Sequence, residues 1–533
     1  MPDQSPTSYP YKILPICESG KLHNNIEYAE VLLNLTIIKN GFCPGPDGVP
    51  SCVLKFCASE LAHPLTELFN MSLKLGSFPY LWKSSFVLPL HKSGSRSTVE
   101  NYRPIAKLSD IPKVFEKIIT ERLSFSLRTY VTPFQHGFVG GRSTSSNLLE
   151  FSNFIFESFR LKCQTDVIYT DFSKAFDRVD HKILVYKLRI MGLHPIFVRW
   201  IQSYLTNRSQ SVLYNYKFSS SFGVSSGVPQ GSHLGPVLFN LFINDLPSAI
   251  QKCQVLMYAD DVKLFWSHNL YPDILQHDLN NLSLWCNINS MPLNLKKCKH
   301  MCFYRQSKIG YTFSIDKVNL VSVDSILDLG ITMDHKLDFQ MHIDGMVYKA
   351  FRMLGFVKRW SKEFDDPLFT KLLFVSLVRP ILEYASVVWS PSYQFLSNRI
   401  ESVQKQFLIF AFRRRDWKAG VNLPSYLVRL KLLSLTPLSS RRKVNSALFI
   451  LKLIGGYTEC DALRGQLHIN VPNRPSRNYN LLTYPHFNTN YLNFQPFRQA
   501  CVEFNTVYGA LDFNNSLGVN KNLIEKFLLD RLS

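Results

Sequence analysis

Two adjacent carboxylates, Asp260 and Asp261, follow Tyr258-Ala259 between two short apolar runs, Val255-Leu256-Met257 and Val262-Lys263-Leu264-Phe265-Trp266. The pattern predicts a strand-turn-strand with both acids at its tip. Neighbouring like charges repel while their flanks favour burial, so the pair is costly unless divalent cations neutralise it. This points to cation-assisted phosphoryl transfer, which needs two ions about 4 Å apart held by acids from separate strands. Asp171 can supply the other strand, because it ends the apolar run Val167-Ile168-Tyr169-Thr170. A helical pattern follows closely, so a helix N-cap is the competing role for Asp171. Asp177 and Asp180 fall on that expected helix and read as surface or supporting groups.

Further residues have matching chemistry. Phe176 could place an aromatic plate under a sugar, although residue type alone favours a core phenylalanine. Ser226-Gly227-Val228-Pro229-Gln230-Gly231-Ser232 reads as a tight loop opening onto an apolar helix, Leu234 to Ile243. Gln230 offers an amide and Gly231 a close backbone approach. An ordinary loop capped by Ser232 is the alternative. Lys92 in His91-Lys92-Ser93-Gly94 and Arg103 in Asn101-Tyr102-Arg103-Pro104-Ile105 suit a triphosphate clamp, or are solvated surface cations. Cys298, His300 and Cys302, with Cys286 upstream, form the closest thiol–imidazole cluster. Their C-x-H-x-C spacing departs from that of zinc ligands and argues against a metal there.

The elements that must position these groups follow from hydrophobic period. Helical patterns cover Ser51 to Leu75, Val114 to Leu127, Ser146 to Arg160 and Ala175 to Met191. Strands are predicted at Ser84 to Leu90, Asp166 to Asp171, Ser211 to Phe218 and Val255 to Phe265. Basic helical tracts follow, from Phe351 to Ser390 and from Ser425 to Leu453. The order is α, then mixed α/β, then α.

At 533 residues the chain is too long for one core and predicts two to four units. A hydrophobic content of 46% with 19% charged residues describes a folded protein. The formal charge of +20 predicts a polyanionic partner, nucleic acid first, with a ribosomal or membrane surface as alternatives. Aromatic content of 13% suits base stacking and an ordinary core equally. Eleven dispersed cysteines and no apolar leader predict a reducing, intracellular setting, nuclear or in a cytoplasmic ribonucleoprotein. No stretch is long enough to span a bilayer.

Taken in order, these stretches resemble the reverse transcriptases of non-LTR (LINE-type) retrotransposons, nearest the jockey-like branch. The matching residues are Asn101 to Ile105, Gln135-His136-Gly137-Phe138 and Tyr169-Thr170-Asp171-Phe172-Ser173-Lys174-Ala175-Phe176-Asp177. They continue through Ser226 to Ser232, Phe242-Ile243-Asn244-Asp245-Leu246, Tyr258 to Asp261, and Ser376-Leu377-Val378-Arg379-Pro380-Ile381-Leu382-Glu383-Tyr384-Ala385.

The resemblance implies an α+β right-hand polymerase fold. Residues 1–40 would be a lead-in, 41–165 fingers, 166–335 palm, 336–455 a basic helical thumb, and 456–533 an extension of unknown role. It implies two Mg²⁺ ions, with Mn²⁺ as a substitute, on Asp171, Asp260, Asp261 and the Phe172 carbonyl. Lys92 and Arg103 would hold the triphosphate, and Phe176 would reject a 2′-hydroxyl. Gln230 and Gly231 would lie against the incoming nucleotide. Lys297, in Leu293-Asn294-Leu295-Lys296-Lys297-Cys298, would protonate pyrophosphate. Leu329-Gly330-Ile331 would grip the primer. Arg142, Lys358, Arg359, Arg413, Arg414 and Arg415, together with Arg441, Arg442 and Lys443, are expected nucleic-acid contacts, although 413–415 reads equally as a localisation signal or solvated face. The implied partners are an RNA template, a DNA primer, dNTPs and an endonuclease in trans.

The chain departs from the family's pattern in places. Members are longer polyproteins with an endonuclease ahead of the polymerase, and some carry a Cys-Cys-His-Cys knuckle; here Cys460 and Cys501 stand alone. Ala106-Lys107-Leu108-Ser109 replaces a usual Ser-Leu-Leu-Ser. The expectation is a polymerase-only piece of an element, with a non-catalytic nucleic-acid-binding remnant and a metal-dependent nuclease as competing readings.

Overall fold

The computed structural model describes residues 9–13, 25–128, 130–269, 272–364, 366–416, 423–470 and 480–508, the side chains of 413–416 and 507–508 excepted. Two mixed sheets organise the first two thirds. The first contains β1 (Ser84–His91), β2 (Tyr102–Lys107), β4 (Arg208–Tyr214), β5 (Lys217–Phe218) and β6 (Phe222–Val224). In it β1 pairs antiparallel with β2 and parallel with β4. The second runs in the order β12-β9-β3-β8-β7, from β3 (Gln164–Thr170), β7 (Gln254–Tyr258), β8 (Asp261–His268), β9 (Lys299–Phe303) and β12 (Val321–Val323). Beside it stand two hairpins, β10 (Ser314–Ile315) with β11 (Val318–Asn319), and β13 (Ser325–Asp328) with β14 (Ile331–Asp334).

The central strand β3 is buried along nearly all its length, which explains its unbroken apolar run. Its two faces feed two cores. Ile168 packs with Leu264, Phe242 and Trp285 in one core. Val167 packs with Phe265, Met301 and Phe303 in the other, which continues into the C-terminal helices. Those helices include Gln340–Trp360, Gln394–Asp416 and Leu438–Ile454.

Several expectations are corrected. The helix expected over 51–75 divides at Cys57 into Ser51–Phe56 and Ala58–Leu75. The strand expected over 211–218 is a hairpin turning at Asn215 (φ 47°) and Tyr216 (φ 61°), and it joins the sheet of β1 rather than that of β3. The helix expected over 175–191 begins only at His181, after a short 3-10 turn at Ala175–Asp177. Asp180 is its N-cap, accepting from the amides of Lys182 and Ile183, so the cap role weighed for Asp171 belongs to Asp180. The helix Tyr28–Ile37, expected inside a lead-in, buries Val31 and Leu35 in the first core. Within the segment expected as an extension of unknown role, the helix Pro496–Tyr508 places Phe497, Ala500, Cys501 and Phe504 in the second core. The described cysteines are all free. Among the described residues no helix is long and apolar enough to cross a membrane.

Candidate active site

Strands β7 and β8 form the expected hairpin, with Tyr258 paired to Asp261 and a turn at Ala259-Asp260. Ala259 adopts φ 57°, a strained value for a residue with a Cβ. The surroundings hold it there. Gln135 is buried, and its Oε1 accepts from the Ala259 amide at 2.8 Å while its Nε2 donates to the Ala259 carbonyl at 3.2 Å. Asn147 Nδ2 donates to the Met257 carbonyl at 3.1 Å. Gly137 runs so close that a Cβ there would lie 2.3 Å from the Ala259 nitrogen. Asn240 fixes that glycine by donating to its carbonyl at 2.9 Å.

Strand β3 pairs antiparallel with β8, Thr170 opposite Val262. The next residue, Asp171, therefore falls across from Asp261, as the sequence predicts. Asp171 and Asp261 line one cavity of about 450 Å³ together with Lys263, Lys296, Lys297 and Leu329. Burial and the charges of Asp260, Asp328 and Asp171 raise the Asp261 carboxyl to about pKa 6, against the pull of Lys263. The Asp260 carboxyl is also raised, by burial and the charge of Asp171; Arg103 and Lys92 act in the opposite direction. Carboxylates whose charges raise the proton affinity of Asp260 and Asp261 make a donor set suited to hard divalent cations.

The segment after the helix Asp273–Ile288 completes the site. Asn294 donates its amide to the Asp171 carbonyl at 2.7 Å, and Ser173 donates to the Pro292 carbonyl at 2.9 Å. These two bonds frame the bridge between Phe172 and Leu293 and leave the Phe172 carbonyl outside it. They bring Lys297 Nζ to 3.1 Å from Asp171 Oδ2. Behind them, Lys263 and Asp328 form a buried ion pair at 2.6 Å. That pair ties the β13–β14 hairpin to β8. The hairpin turns through Leu329 (φ 43°) and Gly330 (φ 88°), and the Tyr384 hydroxyl donates to the Leu329 carbonyl at 2.9 Å.

The remaining expected residues divide. Phe176 stacks on Phe239, ring centroids 4.5 Å apart, and meets Phe138 edge-on at 6.2 Å, leaving the ring half-buried. The Val228 amide donates to the Phe176 carbonyl at 2.8 Å, and Gln230 Nε2 to Asp177 Oδ1 at 2.8 Å. The Gln230 loop is thus sewn to the segment carrying Phe176. Gly231 has φ 121°, and a Cβ there would lie 2.5 Å from the Ala106 carbonyl. Ser232 stands one residue before the N-cap His233 and accepts from the Gly235 amide at 2.9 Å, and Glu116 accepts from the His233 amide. Lys92 and Arg103 are exposed on the first sheet, within electrostatic reach of Asp260.

The basic residues expected on nucleic acid fare differently. Arg142 donates to the carbonyls of Thr132 and Gln135 at 2.6 and 2.7 Å, so it buttresses the Gln135 loop. Arg441 pairs with Glu383, and Arg442 is buried and donates to Ser397; both are packing residues. Lys443 lies 3.9 Å from Glu503. Lys358, half-buried over the Phe410 ring, and exposed Arg359 end the helix Gln340–Trp360; neither lines the cavity. The side chains of Arg413, Arg414 and Arg415 lie outside the described residues. Sequence reasoning missed Gln135, Asn147, Asn240 and the Lys263–Asp328 pair. Gln135 stood inside a quoted stretch, but nothing local marked its partner.

A strand-borne carboxylate facing an Asp-Asp hairpin over a groove defines the class of cation-dependent phosphoryl-transfer proteins. Residues 90–357, half of the chain, match the family described as reverse transcriptase (RNA-dependent DNA polymerase). The chain belongs to that family, in its non-LTR (LINE-type) branch. It is 29% identical over 398 residues to the probable RNA-directed DNA polymerase from transposon BS of Drosophila melanogaster, covering 71% of this chain and 43% of that protein. It is 28% identical over 403 residues to the RNA-directed DNA polymerase from mobile element jockey of the same fly, covering 72% and 44%. The chain thus spans under half the length of these curated relatives.

Proposed function

We propose that this chain is an RNA-directed DNA polymerase that transfers a nucleotide from a dNTP to a DNA primer 3′-hydroxyl on an RNA template. The observation that carries the reading is the placing of Asp171 across from Asp261 at the tip of the Asp260-Asp261 hairpin. Asp171, Asp260 and Asp261, with the Phe172 carbonyl, are the groups that would hold two Mg²⁺ ions, or Mn²⁺ in their place. Bound there, such ions lower the pKa of the primer hydroxyl and stabilise the departing pyrophosphate.

The chain's own residues do the rest. Lys92 and Arg103, close enough for their charges to act on Asp260, would hold the triphosphate. Phe176, locked between Phe239 and Phe138, would present a fixed ring beneath the sugar. Gln230 and Gly231 would set the floor for the incoming nucleotide, and Leu329-Gly330 the seat of the primer end. Lys297 would deliver a proton to pyrophosphate. In this reading the sheet of β1 forms the fingers, the sheet of β3 the palm and the helices after Asp334 the thumb. A nicking endonuclease in trans would supply the primer.

Primer extension on an RNA template with Mg²⁺ and dNTPs tests the assignment. Asp260→Asn should abolish extension and leave the Kd for primer–template within about twofold, since template affinity rests on backbone charge. A variant that extends as fast as the unaltered chain would reject it.

A further inference from the structure

We propose that Asp166, His300 and Cys302, with His268 paired to Asp166 beside them, form a structural transition-metal site of the Zn²⁺ class, separate from the catalytic carboxylates. Three adjacent strands bring these residues together. Asp166 on β3 stands directly opposite Cys302 on β9, and His300 pairs two positions along with Ile168. His268 ends β8 opposite Gln164. Alternation along each strand puts all four side chains on one face of the sheet, while Asp171 projects from the other. Five residue steps along the strand separate Asp166 from Asp171, about 16 Å.

The donor atoms converge. Asp166 Oδ2 lies 2.6 Å from His268 Nε2, and Oδ1 lies 3.0 Å from His300 Nε2. Cys302 Sγ is 3.4 Å from His300 Nε2. The donor atoms of Asp166, His300 and Cys302 all lie within 4.8 Å of one another. Zinc bonds of about 2.0–2.3 Å place tetrahedral neighbours roughly 3.3–3.7 Å apart. An ion would therefore seat among Asp166, His300 and Cys302, with His268 bonded to Asp166 Oδ2 beside it.

Charge and surroundings favour the ion. The four side chains are between 1% and 6% exposed. A buried carboxylate needs a positive partner, and among the described residues Asp166 is ion-paired only with these histidines. A divalent ion balances one carboxylate and one thiolate and leaves both imidazoles neutral. An outer layer is already built. Gln164 Nε2 donates to both Asp166 oxygens at 3.1 Å and to the Ile309 carbonyl, while its Oε1 accepts from the Ile309 amide. Phe313 closes over His300 at 4.7 Å. Such a layer orients ligands and excludes water. Spacing along the chain concealed the set, because its members come from three strands and Cys298 and Cys286 are not among them.

The test is metal content. Untagged full-length protein, loaded with Zn²⁺ and gel-filtered, should carry about one zinc by plasma mass spectrometry, also with Asp260→Asn. Cys302→Ala and the near-isosteric His300→Gln should each lose it. Loading with Co²⁺ should give a thiolate-to-cobalt absorption band that Cys302→Ala lacks. Zinc-free unaltered protein, or equal loading in Cys302→Ala, overturns the proposal and leaves a shared proton as the partner of Asp166. If neither variant folds, absence of the cobalt band from the unaltered chain decides against it. Failure of primer extension would not touch this result.

Discussion

Lys297 Nζ holds Asp171 Oδ2 at 3.1 Å while more than half of the lysine side chain remains open to solvent. A cation bound at Asp171 would compete for the same oxygens, and Lys297, displaced from them, would then be placed to give a proton to the leaving group. Lys297→Ala should lower the Mg²⁺ concentration giving half-maximal rate, yet slow single-turnover incorporation about 100-fold, the usual size of a general-acid contribution. Lys297→Arg should keep the pairing and remain slow, since a guanidinium does not surrender its proton. Rapid-quench rates against Mg²⁺ separate the two effects. An unchanged rate in Lys297→Ala would remove this residue from the chemistry.

The raised Asp261 carboxyl predicts an unusual stability profile. Its folded pKa of about 6 exceeds the unfolded value of 3.8. The folded state therefore binds more protons between these values, and cation-free stability falls as pH rises through that window. Asp261→Asn should raise Tm at pH 7.5 in EDTA, with the gain vanishing below pH 4. Saturating Mg²⁺ should reverse the order, because the unaltered chain gains binding energy that the variant lacks. Scanning calorimetry at three pH values checks the sign.

Gln135 would act on the reaction through the backbone it grips. Both of its amide atoms bind the Ala259 peptide groups, across 124 residues of chain. Gln135→Leu keeps much of the volume and removes both bonds, freeing Ala259 from its left-handed conformation. Incorporation should fall roughly 10- to 100-fold, because misplacing a catalytic group by an ångström has effects of that size. The Kd for primer–template should not move. Equal changes in rate and binding would mark a general loss of structure instead.

The carboxylates were legible because each sits at the end of a short apolar strand, a local pattern. Leu234–Ile243, a helix apolar all round, was equally plain. What stayed hidden depends on distant partners. Asn215 and Tyr216 turn a strand-like run into a hairpin, although neither is a glycine. Lys174 at φ 53° and the Asp180 cap delay a helix whose apolar period begins earlier. Arg142, Arg441 and Arg442 read as free cations because nothing local shows which carbonyls and carboxylates will enclose them. The union of β4 with β1 in parallel joins segments separated by two strands and four α-helices, which no periodicity can announce.

Phe176 offers a test of sugar selection. Its ring is held against Phe239 with planes 17° apart, so it has little freedom to yield to a 2′-hydroxyl. Phe176→Val opens space beneath the sugar without adding polarity. Ribonucleotide incorporation relative to deoxynucleotide should rise at least 10-fold in kcat/KM, a change of about 1.4 kcal/mol in discrimination. Steady-state kinetics with dCTP and CTP give the ratio. Equal discrimination by both proteins would return Phe176 to the role of a core aromatic.

The β13–β14 turn carries strain at Leu329, which holds φ 43° without being glycine or asparagine. Such a residue costs about 1 kcal/mol, and persists where surroundings or function demand the side chain. Here the surroundings are visible: the Tyr384 hydroxyl secures the Leu329 carbonyl, and the Tyr384 ring would lie 3.1 Å from a Cβ on Gly330. The leucine side chain lines the cavity that holds Asp171 and Asp261. Leu329→Asn should leave stability within about 1 kcal/mol, because relief of the left-handed strain offsets the lost apolar contact. Products should nevertheless shorten and the KM for primer–template rise several-fold, if the primer end is seated against this side chain. Tyr384→Phe, which keeps the ring and removes the hydrogen bond, should give a milder shift in the same direction. Product-length distributions on one long RNA template compare all three proteins, and identical distributions would show that the hairpin only packs.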